Sequence, residues 1–85
     1  MARLGFDYAA VRAINPRIVY ASISAFGQTG DLAHHPAHDM AVQALSGFLS
    51  VNDGPDGTPV VPGAPSADMA AGLTALAAIL MALIG

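Results

Sequence analysis

A short helix, one β-branched strand, a long loop and two further helices succeed one another along this chain, and that order predicts an α/β fold of which the sequence is a fragment. Three observations carry the prediction. Residues 17–24 read RIVYASIS, a β-branched and aromatic run that suits a largely buried strand between helical stretches. One strand cannot make a sheet, so its neighbours are expected from elsewhere in a longer parent chain. The composition is 54% hydrophobic and 11% charged, whereas an ordinary soluble domain carries about 25% charged residues. A chain of 85 residues buries only a modest core, so this much apolar sequence reads as interior material of something larger.

Each element has a local reason. Asp7 suits the N-cap of a helix over Tyr8–Ile14. Asn15-Pro16 ends it, because the residue before a proline is pushed out of the α region. The strand follows, apolar at Ile18, Val19, Tyr20 and Ile23. Residues 25–37 hold Gly27, Gly30 and Pro36 among polar residues and form a loop where α/β proteins place ligand-contacting turns. Gly27-Gln28-Thr29-Gly30 has neither the glycine spacing of a dinucleotide-binding turn nor that of a phosphate loop. Helical spacing returns over residues 38–49, with Ala41, Leu45, Phe48 and Leu49 on one face. Asp39 lies in its first turn, where a carboxylate favours the positive end of the helix dipole, and Gly47 weakens it. Residues 50–66, dense in glycine and proline, form a long loop of the kind that is usually functional. A third helix starts near Ser66 to Asp68 and runs to about Ile84.

Charge narrows the function classes. The formal net charge is −3, and the only cations, Arg3, Arg12 and Arg17, lie in the first seventeen residues. Three arginines can grip one small phosphate ligand but cannot displace the counterions of a nucleic acid, so no nucleic-acid partner is expected. With no cysteine there is no disulfide and no thiolate metal site, which fits a reducing, cytoplasmic setting. The N-terminus has no apolar stretch of the signal-peptide kind. The apolar run 69–84 is alanine-rich and falls short of the roughly 20 residues of a membrane span; we expect a buried core helix and no membrane partner.

Two acids and a histidine are the candidates for chemistry. Asp68 is the only charged residue after Asp56 and stands at the start of an apolar helix. Free N–H groups and the helix dipole there favour its ionised form. Such a carboxylate can act as nucleophile or proton acceptor, or simply cap the helix. His38 begins the second helix and is a candidate general acid or base, or a plain polar residue at a loop end. His34, His35, His38 and Asp39 offer metal-ligand types, but their spacing matches no established zinc pattern, and no metal is expected.

Three stretches, in order, resemble the family III CoA-transferases, the CaiB–BaiF group that includes formyl-CoA transferase and the α-methylacyl-CoA racemases. They are RLGFDYAAVRAINPRIVYASISAFGQTG over residues 3–30, AHDMAVQALSGFLSVNDGPDGTPVVPG over 37–63, and PSADMAAG over 65–72. The resemblance implies part of the Rossmann-like large domain of that fold, with residues 1–85 a partial domain that lacks an N-terminal CoA-binding part and a C-terminal remainder. Full-length members form an interlocked homodimer and act on small molecules, an acyl-CoA and a carboxylic acid. No permanently bound cofactor is implied; the coenzyme A thioester is a substrate.

The resemblance also implies roles. In the transferases, the aspartate matching Asp68 attacks the thioester and passes through an aspartyl-CoA thioester. In the racemases it pairs with a histidine at the position of His38 in acid–base exchange of the α-proton. Arg3 and Leu4 match positions lining the nucleotide end of CoA, where a planar, always-charged fork suits phosphate. His38 favours the racemase, since oxalate-type transferases carry tyrosine there. Met69-Ala70-Ala71-Gly72 is closer to the transferases, because the racemases often follow their aspartate with Phe-Gly-Gly. A small interaction module that docks its third helix into a partner groove is the alternative from another class. Transfer of CoA between carboxylic acids, as an acyl-CoA:carboxylate CoA-transferase, is the reading we carry forward, with the fragment alone inactive.

Overall fold

The computed structural model describes residues 1–85. A 3-10 turn over Ala2–Leu4 leads into helix α1, Tyr8–Ile14. Asp7 caps α1 as expected, its Oδ1 accepting from Ala10 N at 2.9 Å. Asn15 leaves the helical region at φ −134° before Pro16, and its Oδ1 accepts from Arg17 N at 3.1 Å to close the turn. Tyr20 folds back across this unit: its hydroxyl donates to the carbonyl of Phe6 at 2.7 Å, and its ring lies 5.8 Å from that of Tyr8.

The strand expected over residues 17–24 is absent. No backbone group from Val19 to Ser24 bonds to another backbone group, and the chain contains no β-ladder, only an isolated bridge between Asp53 and Pro59. The α/β architecture is therefore not formed within these 85 residues. The physical reason is simple: a ladder needs a neighbouring strand, and no other segment here supplies one. Residues 19–23 instead share a shallow groove with Ala75, Ala78, Ile79 and Ala82, an apolar stripe on the last helix.

Helix α2 spans Asp39–Leu45 rather than residues 38–49. Gly47 ends it, adopting φ 83° just past the C-cap, where glycine takes the left-handed conformation without steric cost. Phe48–Val51 continues as a separate 3-10 turn, so Phe48 and Leu49 do not extend the α2 face. The long loop is ordered by its own bonds. Val60 N donates to Asn52 O and Gly54 N to Thr58 O, both at 2.8 Å, which folds residues 52–60 into a hairpin-like turn.

Helix α3, Ser66–Ile84, begins and ends close to where the sequence places it. It is not buried as expected. Gln43 is the one buried residue of the chain, and no hydrophobic side chain is buried. By length and composition α3 could cross a membrane, but its first turn is packed against α2. The radius of gyration is 16.8 Å, against about 12 Å for a compact domain of this length. These residues do not enclose a core of their own.

Candidate functional site

Asp68 occupies the third position of α3. Pro65, the residue before the helix, has no side-chain acceptor to offer, so the first N–H groups of α3 need one from elsewhere. Asp39 supplies it. Its Oδ1 accepts from Ala67 N at 2.7 Å and from Asp68 N at 3.0 Å, across 28 and 29 positions of sequence. These are the amides that a local N-cap side chain would normally satisfy. The other oxygen, Oδ2, accepts from Gln43 Nε2 one turn further along α2.

Two expectations change accordingly. Asp39 was expected to serve the N-terminus of its own helix; its carboxylate instead caps α3. Asp68 is not a cap, and the free amides expected to favour it are occupied by Asp39. The Asp68 side chain makes no hydrogen bond, is exposed, and stands on the wall of a groove of about 190 Å³. Ser24 and Ala25, at the end of the unpaired segment, line it too, with Ala37, Val42 and Ala71.

His38 is the residue before α2, extended at φ −97° and without a side-chain cap bond. It is exposed, and its neighbour Ala37 lines the groove that holds Asp68. Arg3 and Leu4 belong to the N-terminal 3-10 turn and are exposed, Leu4 at 70%. They lie outside that groove. The histidine-rich run does not converge, and no group of three or more His, Asp or Glu side chains is arranged to hold a metal ion.

Sequence reasoning missed Asp39 and Gln43 as parts of this site. One signal was present: an Asp–Gln pair four residues apart lies on a single helix face. The long-range half of the clamp has no local signature.

The path of the chain is that of the CaiB/BaiF proteins. The crystal structure of a CaiB/BaiF family protein from Brucella suis superposes with a TM-score of 0.90 at 37% identity, over 98% of this chain and 22% of that one. The family model for CoA-transferase family III matches residues 1–85, and the chain belongs to that family. Among characterised relatives, it is 49% identical to the acetyl-CoA:oxalate CoA-transferase of Acetobacter aceti, over 98% of this chain and 22% of that enzyme. It is 43% identical to the succinate–glutarate CoA-transferase of Agrobacterium fabrum, over 99% of this chain and 21% of that enzyme. The chain thus spans about a fifth of the length of these relatives.

Proposed function

We propose that residues 1–85 are the aspartate-bearing part of an acyl-CoA:carboxylate CoA-transferase, and that Asp68 is its nucleophile. The observation that carries this is the Asp68 side chain itself: free of hydrogen bonds, on a groove wall, with its backbone held by another residue. The transferase names of the relatives support the reaction class. Residues 19–24, with their backbone groups unpaired, are a strand of a Rossmann-like sheet that the rest of the full-length enzyme completes.

The chemistry balances without a redox partner or a net proton. A carboxylate oxygen of Asp68 attacks the thioester carbonyl; the C–S bond breaks, and CoA leaves as thiolate from a mixed anhydride. The thiolate attacks the aspartyl carbonyl, releasing the donor as carboxylate and leaving an aspartyl-CoA thioester. The acceptor carboxylate repeats the first step, and the thiolate then takes the acceptor acyl group and frees Asp68. Arg3 and Leu4 bind the nucleotide end of CoA, with the guanidinium on phosphate.

A second reading is supported by His38, whose side chain makes no cap bond and whose neighbour Ala37 lines the same groove. It makes the enzyme a racemase in which His38 and Asp68 exchange the α-proton of a 2-methylacyl-CoA. One experiment separates the two. The full-length enzyme is treated with acyl-CoA and trapped with hydroxylamine, and incubated in parallel in D₂O. A label on Asp68 without α-deuteration supports transfer; α-deuteration without a label overturns it in favour of racemisation.

A further inference from the structure

The geometry points to Asp39 as a positioning residue for the nucleophile, holding the peptide of Asp68 in place from a different helix; this rests on the transfer reading above.

Three features converge. The bond from Asp68 N to Asp39 Oδ1, at 3.0 Å, acts on the reacting residue's own backbone. The bond from Ala67 N, at 2.7 Å, fixes the preceding peptide, so two successive amides share one acceptor. Asp39 is itself held by Gln43, which is 2% exposed and the one buried residue of the chain. Asp68, by contrast, makes no side-chain bond that would orient it. Its aim into the groove is therefore set by its backbone, and its backbone by Asp39. The groove spans both helices, with Val42 from α2 and Asp68 from α3. A carboxylate that joins the two helices fixes the distance between the reacting oxygen and any acyl group seated there. Displacement of a reacting group by about 1 Å costs about 100-fold in rate.

Gln43 also identifies the conservative variant. Its Oε1 is buried without a partner. In Asp39→Asn, the side-chain oxygen still accepts from Ala67 and Asp68, while its new NH₂ donates to Gln43 Oε1 once that amide turns over. The variant removes the charge and keeps the clamp. Asp39→Ala removes both and leaves two helix amides without an acceptor.

The test uses the full-length enzyme in single turnover with acyl-CoA and hydroxylamine trapping. The amplitude of label on Asp68 counts folded sites; the rate constant reports positioning and does not depend on the folded fraction. Asp39→Ala is expected to slow the rate constant about 100-fold with the KM for acyl-CoA little changed, and Asp39→Asn to restore it to within about 5-fold of wild type. An unchanged rate constant in Asp39→Ala overturns the proposal, as does an Asp39→Asn variant as slow as Asp39→Ala. Hydrogen exchange over the peptide containing Ala67 and Asp68 is followed in the same samples. If the wild type carries no label on Asp68, the transfer reading falls, and exchange then judges the clamp alone: faster exchange in Asp39→Ala sustains it, and equal exchange overturns it.

Discussion

Tyr20 and Phe6 are joined by a 2.7 Å hydrogen bond from the phenolic hydroxyl to the main-chain carbonyl, closing a span of fourteen residues. This bond, with the tilted contact between the Tyr20 and Tyr8 rings, ties the N-terminal turn and α1 to the segment that leads into the groove. Tyr20→Phe keeps the ring and removes the bond. Because the bond is solvent-exposed, the expected loss is at the low end for a hydrogen bond, about 0.5 kcal/mol, read from denaturant unfolding of the full-length enzyme.

The isolated 85-residue chain is expected to aggregate or to remain molten. Large side chains such as Ile14 and Ile84, each 87% exposed, have nothing in the chain to cover them. Far-ultraviolet circular dichroism should show helix, while the near-ultraviolet signal stays weak and hydrophobic dye binds. A soluble monomer with a sharp, cooperative thermal transition would contradict this.

Asp68→Asn should abolish transfer, with a loss of at least about 10³-fold in kcat. An amide replaces the carboxylate without changing size, so the fold should be kept while the nucleophile is lost. Turnover and the mass of the trapped adduct are the two measurements. His38→Ala should slow transfer far less, and equal loss in both variants would favour the racemase.

Arg3→Ala should raise the KM for acyl-CoA about tenfold, the effect of one lost charge-assisted bond, with little change in kcat. Arg3 is exposed and lies outside the Asp68 groove, which fits the proposed role in binding and not in the chemical step. Steady-state kinetics in which neither constant changes would remove it from the CoA site.

Asp56 carries a pH dependence. Its Oδ1 accepts from Thr58 Oγ1 at 2.7 Å and from Thr58 N at 3.2 Å. These bonds, the hydroxyl first, hold its pKa below the usual 3.8. A carboxylate depressed in the folded state stabilises the turn above the unfolded pKa, and that contribution disappears as the pH falls through the folded value. The turn at residues 52–60 should therefore loosen only below pH 3.8. Thr58→Val removes the hydroxyl bond and keeps the main-chain one, so it should raise Asp56 toward the ordinary range in a carboxyl-carbon NMR titration; an unshifted titration would show that the Thr58 hydroxyl is not the cause.

What was legible in the sequence follows the range of the forces involved. Helix α1 is legible because Asp7 and Asn15-Pro16 act within one turn, and α3 because a long alanine- and leucine-rich run holds no proline and a single glycine, Gly72, before Gly85. The sequence carries helix α2 four residues too far at its C-terminal end: the apolar spacing continues through Phe48 and Leu49, but Gly47 takes a left-handed φ that stops the helix. The strand was read from side chains that favour one, yet a strand is a relation between segments and its partner is not here. In the site, Asp68 and His38 were visible as charged and titratable residues at the edges of apolar helices. The bond from Ala67 N to the Asp39 carboxylate spans 28 residues, and nothing local in the sequence announces it.

The unpaired backbone of residues 19–24 bears on how the protein is made. These groups have no backbone partner on either side; in the sheet proposed above they are satisfied when strands distant in sequence arrive, a slow, non-local step in folding. Until then an apolar stretch with open donors and acceptors faces its surroundings, ready to pair with the same stretch on another nascent copy. Sparse charge offers little repulsion to prevent it. On that proposal the yield of full-length enzyme should depend on how quickly the partner strands reach this one, and expression at lower temperature or with a holding chaperone should raise it before any change is made to the site.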